Sequence, residues 1–397
     1  MPHPLPNDSF LRSTAIIGIG QTAYLRRSDR QEWDLALEAV KAAADDARIE
    51  LCEIDGIVRY TQDRVSESDV AGALGLSLRY HGQVGFGGQS ACAVIAQAAA
   101  AIHAGLASVV VCYRALNGRT AVRYGTSDHN LVSEGEHRLA RGLRVPGGAL
   151  SAPYGLLTPG QVMALWAQRY AHEAGIDSDQ LSAALGRIAI DQRQYANCNP
   201  AAMMHEKALD EDAYRAGRVL ADPLRLFDFC LETDGAAAVI LAGSERACAV
   251  RDDPTWVLGA SQSLHAEAME VYTELVNGEA HRENARALFA SCNLSPSDID
   301  VAMLYDANTI MVLLQLEGYG FVEPGTAWSV VQEHGIGPES PLPVNTSGGQ
   351  LSEAYVHGMN LVIEAVRQLR GKSTSQIDGA ATALVGAAGA SSLVLAR

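Results

Sequence analysis

With 397 residues, 48% of them hydrophobic and only 19% charged, the chain can bury a large core in one big domain or in two fused halves. That composition is typical of a compact α/β enzyme and excludes a disordered or fibrous protein. A formal net charge of -16 argues against nucleic acid or an anionic membrane as the main partner.

Residues 13–20, STAIIGIG, form a short apolar run ending in glycines and predict a buried strand. Residues 33–47 carry apolar side chains at helical spacing, and IDGIVR at 54–59 predicts the next strand. Gly87-Gly88 then precedes a small-residue helix, SACAVIAQAAAAIHAG, and the strand ASVVVC. The apolar stretch 93–112 contains Gln97, His103 and Gly105, so it predicts a buried helix and strand, not a membrane span.

Residues 116–160 are irregular and locally basic, with Arg119, Arg123, Arg138, Arg141 and Arg144. Helices are expected at about 160–174 and 178–196. An insertion this long predicts a lid or an oligomer contact. Its arginines read either as a solvated loop or as a receptor for ligand phosphates. GAAAVILA, from Gly235, predicts a closing strand.

The same order then recurs. PTWVLGA at 254–260 matches the first strand, residues 285–293 are again helical, and IDVAMLY at 299–305 again runs from Ile-Asp into a strand. Gly348-Gly349 precedes LSEAYVHGMNLVIEAVRQLRG, which predicts one long helix with Tyr355 and His357 inside it. ATALVG and then GASSLVLA, from Gly389, predict the last strands. Four matched elements in one order predict two duplicated halves, 1–250 (with an insertion at about 115–200) and 251–397, each a mixed sheet flanked by helices.

The seven cysteines, Cys52, Cys92, Cys112, Cys198, Cys230, Cys248 and Cys292, are scattered without CxxC or zinc-like spacing. No metal is expected. An odd count without a secretory signal fits a reducing, cytoplasmic setting.

The duplicated halves, the Gly-Gly starts, DGAAAVILAG and the closing glycine-rich strand together resemble the thiolase superfamily. The branch they resemble is that of the nonspecific lipid-transfer or sterol-carrier-protein thiolases. The resemblance implies an α/β fold of five layers, α-β-α-β-α, with two central helices whose N-termini point into the active site. Backbone groups at Gly88, Gly348 and Gly349 would then stabilise negative charge on an acyl thioester.

The thiolase chemistry, however, is missing. The nucleophilic cysteine position falls near Gly88 or Gln89, and Cys92 lies about one turn too deep. Tyr355 falls on the Gly-His-Pro histidine, and Tyr305-Asp306 stands where a His-Asp pair is expected. Leu384 falls where the second cysteine belongs. Each tyrosine either fills space with a satisfied hydroxyl or moves protons.

An acyl-CoA slot without a thiolate suits a reaction through a thioester enolate, such as retro-aldol cleavage. Here the pattern resembles the steroid side-chain-cleaving thiolase-like aldolases. That resemblance implies a 17-hydroxy steroid 20-carboxyl-CoA as substrate, with a 17-ketosteroid and propionyl-CoA as products. It makes Tyr305 and Tyr355 the catalytic pair, supported by Asp306, His357, Asn308 and Asn345. Arg119, Arg123 and Arg144 become candidates for the CoA phosphates, with no cofactor beyond the CoA of the substrate. It also implies a homodimer, joined near residues 83–86 (QVGF), and a small zinc-ribbon and OB-fold partner associated with a hydratase. Two other readings are a divergent acetyl-CoA C-acyltransferase and a non-catalytic acyl-CoA- or lipid-binding subunit.

Overall fold

The computed structural model describes residues 13–85, 87–121, 123, 152–263 and 279–397. In the first half these form β1 (Thr14–Gln21), α1 (Glu32–Ala47), β2 (Gly56–Tyr60), α2 (Glu67–Leu74), β3 (Tyr80–Val84), α3 (Ala91–His103) and β4 (Val109–Asn117). The two helices expected after the basic segment are α4 (Pro159–Ala174) and α5 (Ser178–Cys198). Next come α6 (Glu211–Ala216), a small hairpin of β5 (Val219–Ala221) and β6 (Leu224–Arg225), β7 (Asp234–Gly243) and α7 (Ser244–Val250). The remainder is β8 (Thr255–Gln262), α8 (Glu279–Cys292), β9 (Val301–Leu304), α9 (Thr309–Gly318), α10 (Ala327–His334), α11 (Met359–Leu369), β10 (Thr382–Ala387) and β11 (Ser391–Ala396).

Strand order makes the internal repeat visible. One nine-stranded sheet runs β3-β2-β4-β7-β1-β8-β11-β10-β9. The run β2-β4-β7-β1 is matched by β9-β10-β11-β8. The first two strands of each run are parallel, and the later pairings are antiparallel. The two runs meet edge to edge at a short β1–β8 pairing, Ala15 with Trp256 and Ile16 with Thr255. β3 adds one strand at the outer edge of the first run.

Alternation along the strands assigns the layers, because successive side chains point to opposite faces. In β7, Ala236, Ala238, Ile240 and Ala242 pack under α1. Ala237, Val239 and Leu241 face the other way, toward α3 and α11. In β10, Ala383, Val385 and Ala387 face the same central helices, while Leu384 joins the core under α4, α5, α8, α9 and α10. The two runs of the sheet therefore flank the central helix pair, with further helices outside each run. Close contact of α1 with β1 needs Gly18 and Gly20, since a Cβ at either would collide with the α1 backbone at Ala39 or Ala43.

The segment after Gly349 departs from the single helix expected. Gly349–Glu353 forms one π-helical turn, Ala354 returns to extended backbone, and α11 begins only at Met359. Gly348 (φ 105°), His357 (φ 47°) and Gly358 (φ 81°) are left-handed, which breaks the helix on both sides of Tyr355. Tyr355 and His357 therefore lie in a braced loop, not inside a helix.

Candidate active site

The structure brings Tyr305 and Tyr355 together: their hydroxyl oxygens lie 3.0 Å apart and their rings meet edge-on at 61°. Tyr305 directly follows β9. Its N–H reaches the Gly386 carbonyl (3.0 Å), and its own carbonyl accepts from the Gln315 amide (2.7 Å). Tyr355 is held by its N–H on Thr233 Oγ1 (2.9 Å). Burial pushes the Tyr305 phenol well above its ordinary value, against the opposing pull of the Tyr355 hydrogen bond. Tyr305 is thus a firmly neutral hydroxyl.

Gly88 is explained by Tyr305. A Cβ at position 88 would collide with the phenol oxygen and ring edge of Tyr305. The two central helices converge on the same ring. Ala91, the first residue of α3, lies 3.1 Å from the place of a Cβ on Gly358, and Tyr305 Cδ2 lies 3.2 Å from it. Gly358 is the N-cap of α11, so two positive helix ends meet at the phenol.

The supporting residues take more defined places. Asp306 is fully buried and accepts the Gln350 N–H on both oxygens (3.0 and 2.9 Å) and the Leu351 N–H (3.3 Å). The backbone donors after Gly349 are therefore occupied by a carboxylate. Burial pushes the Asp306 carboxyl up to about 6, against those N–H groups. Asn345 exchanges two 2.8 Å hydrogen bonds with the Leu304 backbone. Asn308 caps α9 through Met311 N–H. Both asparagines fix the loops beside the tyrosines.

His357 is not turned away from Tyr355, as two residues on a helix would be. The loop stacks its ring edge on Tyr355, centroids 5.0 Å apart at 84°. It does not supply a positive charge either. Burial first, and Arg114 second, hold its imidazole well below the ordinary range.

The remaining residues singled out in the sequence take the following places. Leu384 points away from the tyrosines, and the residue of that final turn packed against Tyr305 is Ala388 (φ 52°). Arg119 and Arg123 both pair with Glu232, the latter at 2.9 Å, which neutralises them in part. Arg138, Arg141 and Arg144 lie outside the described residues. Among the described residues no group of His, Cys, Asp and Glu could hold a metal ion. No helix among them is long and apolar enough to cross a membrane.

Sequence reasoning missed several contributors. Arg114, 1% exposed within β4, pairs with Asp63 at 2.6 Å and donates from Nε to His357 Nδ1 at 3.0 Å. Tyr60 donates to the His357 carbonyl at 3.2 Å. The available signal was an arginine in the otherwise apolar run VVVCYRAL. Cys230 lies beside the loop after β9, its N–H on the Ala307 carbonyl (3.0 Å), but burial first and the Asp306 charge second push its thiol up, making it a poor nucleophile.

Comparison with known proteins places the chain in a family. Residues 261–394 match the family model described as thiolase C-terminal domain-like. The chain is 38% identical to a steroid side-chain-cleaving aldolase of Thermomonospora curvata, covering 92% of each chain. It is 36% identical to 17-hydroxy-3-oxo-4-pregnene-20-carboxyl-CoA lyase of Mycobacterium tuberculosis, covering 94% of this chain and 95% of that one. The solved Ltp2-ChsH2(DUF35) aldolase superposes with a TM-score of 0.88 at 37% identity over 98% of both chains.

Proposed function

The chain belongs to the thiolase-fold family of steroid side-chain-cleaving aldolases, and from that premise we propose that it cleaves a 17-hydroxy steroid 20-carboxyl-CoA to a 17-ketosteroid and propionyl-CoA. The observation that carries the mechanism is the 3.0 Å contact between the Tyr305 and Tyr355 hydroxyls, with no side chain at Gly88 to intrude.

The pair suits a relay of neutral phenols. The tertiary alcohol gives its proton to the Tyr355 oxygen. Tyr355 passes its own proton to Tyr305, and Tyr305 gives its proton to the substrate α-carbon. The Cα–Cβ electrons move into the thioester enolate and then into the new C–H bond, while the alcohol carbon becomes a ketone. Both tyrosines end as they began. Because burial disfavours a Tyr305 phenolate, a relay without free charge has the lower cost. The helix starts at Ala91 and Gly358 would favour the enolate oxygen.

Neither the acyltransferase nor the binding-subunit reading uses the tyrosine contact. We further propose a homodimer paired through β3, the strand at the sheet edge. A small partner of the DUF35 type, with a zinc-ribbon and OB-fold, would complete the working enzyme, with a hydratase supplying the tertiary alcohol. The chain would operate in the cytoplasm and need no cofactor beyond the substrate's CoA.

The test incubates the chain, with and without such a partner, with the steroid β-hydroxyacyl-CoA. Release of propionyl-CoA without acylation of any cysteine is expected. Acylation of a cysteine would favour acyl transfer, and no turnover in either mixture would favour the binding subunit.

A further inference from the structure

The loop that carries Tyr355 is braced at three points from the first half of the molecule. Thr233 holds the Tyr355 N–H, Tyr60 holds the His357 carbonyl, and Arg114 holds the His357 ring. His357 keeps a left-handed backbone (φ 47°), which a non-glycine residue adopts only when its surroundings enforce it. Arg114 lies 5.7 Å from the Tyr60 ring centroid and is neutralised by Asp63, so the brace is buried and charge-balanced.

The contact between Arg114 and His357 has a direction. Nε of arginine always carries a proton, so it donates, and His357 Nδ1 must accept. The imidazole proton is thereby placed on Nε2. The ring so fixed stands edge-on to the Tyr355 ring, 5.0 Å away.

We infer that Arg114 and His357 are positioning residues for the reaction: the Arg114 Nε–H holds the His357 imidazole in its Nε2–H form and in one orientation, and that ring fixes the Tyr355 phenol against Tyr305. The inference rests on the retro-aldol reading for its kinetic consequences but not for its structural ones. It explains why a buried ion pair, which by itself adds little stability, stands directly behind this loop. The arginine supplies a directed N–H that an ammonium on a flexible stem does not reproduce.

Three variants of the full chain test it. Arg114→Lys keeps a charge for Asp63 and loses the directed N–H. His357→Asn keeps a residue that tolerates the left-handed backbone and can accept from Arg114, but removes the ring. Arg114→Met with Asp63→Asn removes both buried charges together, so no orphan charge remains if Arg114→Lys fails to fold. Each folded variant is expected to lose roughly tenfold or more in kcat with KM changed less than about threefold, because the substrate still binds while the phenol is misplaced. Near-normal kcat in all the folded variants would overturn the inference.

Histidine-selective nitrogen-15 spectra separate this result from failure of the retro-aldol reading. The wild-type His357 ring is expected in the single Nε2–H form, and Arg114→Lys is expected to give a mixture of tautomers. An unchanged spectrum would overturn the inference whatever the chain's substrate. A changed spectrum in a chain that releases no propionyl-CoA would sustain the brace and sink the retro-aldol reading.

Discussion

The Tyr305 phenol occupies the volume that a side chain at Gly88 would need. The two positions compete for one space although they are more than two hundred residues apart in the sequence. Gly88→Cys, which puts a thiol near the place where the thiolase resemblance sets a nucleophile, should therefore push Tyr305 aside. Overpacking of this kind costs about 1–3 kcal/mol of stability. Turnover should fall roughly 100-fold, with no acyl-enzyme gained. Chemical denaturation and mass spectrometry after incubation with acyl-CoA measure both effects, and full activity in the variant would refute the displacement.

Removing either hydroxyl while keeping its ring tests the relay. Tyr305→Phe and Tyr355→Phe should each lower propionyl-CoA release by roughly 100-fold or more. Each should cost only about 1 kcal/mol of stability, the usual net worth of one hydrogen bond. The double variant should be little worse than either single one, because members of one relay fail together. Near-normal release by Tyr355→Phe would end the mechanism.

The cysteines should be dispensable for turnover. Cys92 is fully buried, donates to the Val385 carbonyl at 3.3 Å, and has its thiol pushed up by burial. Cys230 is the sharper case because its backbone N–H is held by Ala307, two residues after Tyr305. Cys92→Ala and Cys230→Ala should lose about 1 kcal/mol in stability and less than about threefold in kcat. A folded Cys230→Ala variant without activity would return a thiol to the mechanism.

Stability should carry a pH signature from Glu353. Burial is the largest cause raising its carboxyl to about 7, with Arg367 opposing. An unfolded glutamate titrates near an ordinary value of about 4.3. Between those values the folded chain keeps a proton that the unfolded chain has lost. The stability so gained is complete below about pH 4 and disappears as pH rises through about 7. Asp306, raised to about 6, acts with the same sign. Glu353→Gln cannot titrate, so its melting temperature should decline less than wild type between pH 5 and 8. Parallel curves would show that Glu353 keeps an ordinary pKa.

The edge strand β3 gives a further expectation. It ends the sheet order and pairs only with β2 among the described strands. Light scattering at micromolar concentration should give a mass near twice the 42.1 kDa of one chain. An active monomer would remove the dimer from the proposal.

Much of the fold was legible because the duplication repeats its signals: apolar runs, glycine pairs and small-residue helices recur in one order. The tyrosine pair was legible because the thiolase resemblance sets both residues where that pattern expects histidines. Leu384 was misplaced because counting back from a glycine-rich turn cannot say which face a strand residue takes, and a one-residue slip reverses it. The broken helix around Tyr355 was hidden because Leu351, Val356 and Met359 keep an apolar rhythm. The break is enforced by contacts from Tyr60, Arg114 and Thr233, far away in the chain. Arg114 itself stood in plain view, but nothing local could name its partner.

The fixed position of Tyr305 has a stereochemical consequence. A phenol clamped at the end of β9 can reach the planar enolate from one face only. In heavy water its hydroxyl carries deuterium, so the propionyl product should gain one deuterium at its α-carbon in a single configuration. A racemic label would mean that solvent, not the clamped phenol, delivers the proton.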